Sequence, residues 1–164
     1  MTRAVVYAEF GGPEVLTVVE TPTPDIRPAH LIVRVEAAGV NPIDAKLRAG
    51  IRPSATIDAP PHLGRDGPGV VVAVGCDVTD FRVGDPVAFR ETSGTYASEV
   101  RVAAHNAIPR PPSVSAAAGA GIGIPVGTAY QVLRSLDVRA GDTLLLHAGS
   151  GSVGQAAIQY AVLW

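Results

Sequence analysis

The stretch that decides the fold is Asp142 to Trp164, DTLLLHAGSGSVGQAAIQYAVLW, an apolar run followed by a glycine-rich turn and an apolar-striped segment. Gly149, Gly151 and Gly154 stand at the G-x-G-x-x-G spacing, directly after a strand pattern over Thr143 to His147 and directly before a helix pattern from Ser152. Each glycine has its own physical reason. One allows a sharp turn, another lets backbone N–H groups approach a pyrophosphate, and the third lets helix and strand pack closely. The turn residues Gly149, Ser150, Gly151, Ser152, Val153 and Gly154 are therefore the candidate phosphate cradle. The acidic residue that completes such a device, about 20 residues further on, falls beyond Trp164.

Working back from this turn, the chain changes character near Pro109 to Ser113. Before it, short β segments are separated by Gly, Pro and Asp, as in a barrel-like or sandwich-like β domain. The predicted strands are Arg3 to Ala8, Val15 to Glu20, His30 to Ala38, Gly69 to Val74, Pro86 to Phe89 and Tyr96 to Val102. In LIVRVEAAGV, Leu31, Val33 and Val35 alternate with Ile32, Arg34 and Glu36, so the first set is assigned to the core. Asn41 is a good N-cap for a helix over Pro42 to Arg48, which Gly50 ends. The prolines between Arg52 and Gly69 predict an extended loop. After the change, Ser113 is placed as N-cap of a segment over Val114 to Ala120, and a second helix is expected over Pro125 to Leu136.

Composition narrows the function. Of 164 residues, 47% are hydrophobic and 17% charged, the balance of a globular chain. A net charge of −2 offers no footprint for nucleic acid or an anionic membrane. The one cysteine, Cys76, excludes an internal disulfide, and the long uncharged runs carry too many glycines and polar residues for membrane spans. A cytoplasmic, soluble protein is expected. The four histidines, His30, His62, His105 and His147, show no metal-ligand spacing.

Six stretches together, AAGVNPIDAKLRAG (37–50), LGRDGPGVVVAVG (63–75), VGDPVAF (83–89), GTYASEV (94–100), GIPVGTAYQVL (123–133) and the glycine turn, resemble the medium-chain dehydrogenase/reductase superfamily in its zinc-free quinone oxidoreductase-like branch. The resemblance implies a mixed fold, a GroES-like β-barrel catalytic domain over 1–122 followed, over 123–164, by a linking helix and the first βα unit of a Rossmann domain. Zinc-dependent relatives carry a ligating Cys at the position like Val40 or Asn41 and a His at the position like Arg65, so no metal is expected here. The implied activity is NADPH-dependent hydride transfer to a quinone, enone or related carbonyl compound, with NADH left open.

The same resemblance puts Asn41 and Asp44 in the substrate cleft, as candidate catalytic residues, and Thr128 beside the nicotinamide. From the residues alone, Asn41 reads first as a helix cap, a role compatible with catalysis, Asp44 either moves protons or faces water, and Lys46 is expected to face water. Asp66 is expected to be a structural acid, and Tyr96 and Tyr130 core phenols with satisfied hydroxyls. A lone βα unit leaves strand edges and an apolar helix face unpaired, so a homo-oligomer or a complementing chain is expected to cover it, the chain being a truncated or split form. The alternative is a non-catalytic fragment or interaction module that keeps the barrel fold.

Overall fold

The computed structural model describes residues 1–51 and 63–164. Most of the loop expected over 52–69, with His62, lies outside them; of its described end, 63–66 carries no regular element, whereas 67–69 already belongs to the strand expected to start at Gly69. Among the described residues two sheets form the β part. Strands β1 (Thr2–Val6) and β2 (Thr17–Thr21) make an antiparallel ribbon. Strands β3 (His30–Val35), β4 (Gly67–Val74), β5 (Pro86–Phe89), β6 (Glu99–Ala103) and β7 (Ala107–Pro109) make a five-stranded antiparallel sheet in the order β6-β3-β4-β5-β7. Leu31, Val33, Val71, Val87 and Val102 are fully buried and, with Phe81, Phe89 and Val100, form the core. Ile32, expected on the charged face, is also buried; the pairing of β3 with β4 shifts register between Ile32 and Val33, which breaks the strict alternation.

The helices follow the caps. Helix α1 (Pro42–Arg48) starts after Asn41 as expected. Helix α2 (Ala116–Ala120) is capped by Ser115, whose Oγ accepts from the Ala118 N–H at 3.2 Å, and not by Ser113. Helix α3 (Gly123–Ser135) begins two residues before the expected Pro125. Helix α4 (Ser152–Leu163) opens after Gly151.

The segment 143–147 is a correction. It forms no ladder, since a strand is defined by a neighbour and no other strand lies alongside it among the described residues. Its side chains still alternate. Leu144 and Leu146 pack on a small second core of Ala129, Leu133, Ala156 and Ala157, while Leu145 is 81% exposed. Of the apolar α4 residues expected to lack partners, Ala157 is buried against α3, whereas Ile158 and Val162 stay exposed.

The two cores share no residue. Leu31→Ala is therefore expected to cost about 2–5 kcal/mol in global denaturant unfolding. Leu133→Ala should lose protection in hydrogen exchange over α3 and α4 while leaving the amides of β3 and β4 unchanged; loss across both units would show that they unfold as one.

Candidate functional site

Asp66, just before β4, is fully buried and bridges three parts of the chain. Its Oδ1 accepts from the Asn41 side-chain amide at 2.8 Å, and its Oδ2 accepts from the backbone N–H of Ile124 at 2.7 Å. Its own carbonyl accepts from Gly39 N–H at 3.1 Å. Space for the carboxylate exists only because two neighbours lack side chains. A Cβ at Gly39 would lie 2.3 Å from Asp66 Oδ1, and one at Gly123 would lie 2.4 Å from Asp66 Cβ. Burial holds the Asp66 carboxyl above the usual carboxylate range, and the nearby Asp44 pushes the same way, while the Ile124 and Asn41 hydrogen bonds oppose both.

The bond to Ile124 explains the early start of α3. The N-cap position is Ile122, which has no side-chain oxygen to offer, and Pro125 has no N–H to satisfy. Asp66 caps the helix from 58 residues away, placing a carboxylate at its positive end. Its chain neighbour Arg65 is not among its hydrogen-bond or salt-bridge partners.

Asp44 is the second buried carboxylate, 3% exposed. Its Oδ2 accepts from Asn41 N–H at 2.9 Å and from the Tyr96 hydroxyl at 3.1 Å, and its Oδ1 accepts from Gly64 N–H at 3.2 Å. Asp44 thus neither faces water nor has an idle oxygen; it holds α1 against the loop before β4. Lys46 is exposed. Burial, and then the charge of Asp44, push the Tyr96 phenol well up, so it stays a donor. Tyr96 is therefore satisfied as expected, whereas Tyr130 is 45% exposed and stacks edge-on with Tyr160 and Trp164.

Asn41 is thus a cap and more. Its main chain is fixed by Asp44, and its Nδ2 is committed to Asp66. Thr128, exposed on α3, donates its hydroxyl to the Ile124 carbonyl at 2.7 Å. Sequence reasoning did not find Asp66 as the link between these two residues. The signal available was an acid inside the glycine-rich LGRDGPG, where small neighbours leave room for one polar side chain.

The glycine turn is a distinct part of the site. Ala148 has a positive φ of 57°, and its carbonyl accepts from Gly151 N–H at 3.1 Å. The Gly151 amide is therefore used internally. Gln155 Nε2 donates to the Ser150 carbonyl at 2.8 Å. The N–H groups of Ser152, Val153 and Gly154 have no acceptor among the described residues, leaving a positive helix end open to an anion. The glycines also differ. A Cβ at Gly151 would meet nothing nearer than Ala148 O at 3.5 Å, whereas one at Gly154 would lie 2.3 Å from that oxygen and 2.7 Å from Gly149 Cα. Gly154 serves packing, and Gly151 keeps the approach to the amides clear.

A cavity of about 420 Å³ opens on another face of α3, between Phe89, Arg90 and Ile108 on the barrel side and Val126, Tyr130 and Tyr160 on the helices. It includes neither Asn41 nor Thr128. Among the described residues no group of three or more His, Cys, Asp or Glu is placed to hold a metal, and no helix is long and apolar enough to cross a membrane.

The comparisons with known proteins agree with this architecture. A family model described as the alcohol dehydrogenase GroES-like domain matches residues 27–133. The quinone oxidoreductase of Homo sapiens is 39% identical over 98% of this chain and 50% of its own length. The solved quinone oxidoreductase of Coxiella burnetii superposes with a TM-score of 0.91 at 35% identity, covering 99% of this chain and 53% of that one. The Escherichia coli quinone oxidoreductase complexed with NADPH superposes with a TM-score of 0.87 at 32% identity, over 99% of this chain and 50% of that one. The chain spans about half the length of the curated relatives it matches.

Two substitutions separate the roles in the turn. Gly154→Ala is expected to destabilise the α3–α4 unit by about 1–3 kcal/mol through overpacking. Gly151→Val should change stability by no more than about 1 kcal/mol, since it sits at an N-cap with open space, yet abolish anion binding at the helix end. Thermal unfolding and ligand titration check both; unchanged binding in Gly151→Val would remove the turn from the site. Tyr96→Phe removes a donor to a buried carboxylate and is expected to cost about 1.5–3 kcal/mol in denaturant unfolding.

Proposed function

The chain belongs to the medium-chain dehydrogenase/reductase superfamily through its alcohol dehydrogenase GroES-like domain, and from that premise we propose that it serves an NADPH-dependent, zinc-independent oxidoreductase acting on quinones, enones or related carbonyl compounds. The observation that carries this reading is the open helix end of α4, where the N–H groups of Ser152, Val153 and Gly154 have no acceptor among the described residues and Gly151 keeps the approach clear. These amides fit a pyrophosphate. NADPH, when bound, supplies the hydride. The chain's own residues bind and orient. The turn 149–154 grips the diphosphate, and Thr128 and Asn41 present polar atoms toward the nicotinamide and the substrate oxygen. Asp44 acts at one remove, by fixing the Asn41 main chain. With no cluster of metal ligands among the described residues, carbonyl polarisation rests on hydrogen bonds and orientation.

In this reading 1–122 is the catalytic-type domain and 123–164 the linking helix and first βα unit of the cofactor domain, working in the cytoplasm. Leu145, Val162 and Leu163 are 78–82% exposed, which favours further polypeptide supplying strands beside 143–147. The same exposure favours a second reading, an interaction module without turnover.

Titration with NADPH separates the two. The oxidoreductase reading expects saturable binding and, at a hundredfold excess over Kd, a rise in melting temperature of about 5–10 °C. A flat titration of folded protein would contradict it and leave the module. Light scattering after size exclusion checks the covering polypeptide; a stable, well-behaved monomer would contradict that part.

A further inference from the structure

Independently of the dinucleotide reading, we infer that the cavity between the barrel and α3 binds a small planar aromatic acid, its carboxylate on Arg90 and its rings beside Tyr130 and Tyr160. The cavity is set by how the two parts of the chain meet. Gly123, Val126, Gly127 and Tyr130 line it from α3 at spacings of three and four residues, one face of the helix, and Thr128 falls outside that stripe. The opposite wall comes from the β5–β7 pair, where Arg90 N–H donates to the Asn106 carbonyl at 3.1 Å and sets those two residues side by side. Gly127 gives the guanidinium room against the helix, since a Cβ there would lie 3.4 Å from Arg90 Nη1.

The lining selects a ligand class. A volume of about 420 Å³ falls within the range usual for small-molecule sites, roughly 300–1,000 Å³. Ile108, Ile122 and Val126 supply apolar wall, and Tyr130 and Tyr160 supply rings that favour another ring. Charge in the lining has one sign. Arg90 and His105 are present, Asn106 and Gln131 add amides, and no carboxylate is among the described lining residues. The acidic neighbour of the guanidinium is Glu91 at 3.5 Å, and with side chains 51% and 60% exposed this pair holds Arg90 weakly. A ligand carboxylate can engage the guanidinium through two parallel hydrogen bonds from a partly desolvated position. A cation would be repelled, and an aliphatic acid would leave both phenol rings without a partner.

The test is calorimetric titration of the 164-residue chain with 2-naphthoate and with its uncharged counterpart, 2-naphthalenemethanol. Trp164, the only tryptophan, lies 5.8 Å from the Tyr130 ring and 5.7 Å from that of Tyr160, so its fluorescence is a second readout. Saturable binding at one site per chain is expected, with the acid about tenfold tighter than the alcohol. Arg90→Gln, at an exposed position, should weaken naphthoate about tenfold and leave the alcohol within about twofold, the loss of a charge-assisted hydrogen bond. Gly127→Leu fills the cavity and should abolish both; should it not fold, Arg90→Gln alone carries the test. No saturable binding, equal affinities for acid and alcohol, or unchanged naphthoate affinity in Arg90→Gln would overturn the inference. Gly151→Val locates the ligand: unchanged naphthoate affinity is expected, and a loss would put the acid on the open amides of α4 instead. Light scattering that finds a dimer excluding naphthoate would make the cavity an interface between copies, which also overturns it.

Discussion

The structure depends on one buried carboxylate. Asp66 lies between the barrel and the helical segment and accepts from a side chain of the first and a main-chain N–H of the second. The apolar cores on either side share no residue, so neither core by itself joins one unit to the other. The Asp66–Ile124 bond, together with Gly119 seated on Pro68, provides that fixing. Removing one partner from such a bond leaves a buried polar group unsatisfied, a larger penalty than the bond's net contribution.

Holding two carboxylates close together raises the energy of both, and the fold offsets this with donors. Asp44 takes Gly64, Asn41 and Tyr96, while Asp66 takes Asn41 and Ile124. Asn41 is the shared member, giving its backbone N–H to one acid and its side-chain amide to the other. Gly64, at φ 88°, makes the arrangement possible, since a Cβ there would lie 2.2 Å from the Thr95 hydroxyl oxygen and 2.8 Å from Tyr96 N. The site is therefore closely hydrogen-bonded on the barrel side and open at the glycine turn.

Much of this was legible in the sequence where the signal is local. The Asn41 cap, the Gly50 stop, the burial of Leu31 and Val33 and the helix after Gly151 each rest on residues within a few positions of one another. What escaped was set by partners far along the chain. Helix α3 starts at Gly123 because Asp66 caps it, and nothing near Ile122 announces that. The segment 143–147 has the alternation of a strand but no neighbour, and β7 is three residues long, too short for any pattern. Ser115 rather than Ser113 caps α2, one serine chosen over another two residues away by the turn at Pro111. In the candidate site the glycine spacing was readable, but which amides stay free was not, because Gly151 N–H turns back onto Ala148.

The most direct measurement of the central claim is amide hydrogen exchange at Ile124. An N–H in the first turn of a helix ordinarily exchanges fast, as those of Ser152 and Val153 should here. If Asp66 is the anchor between the two units, Ile124 exchanges as slowly as the amides of β3 and β4. Exchange at Ile124 as fast as at Ser152 would contradict the account.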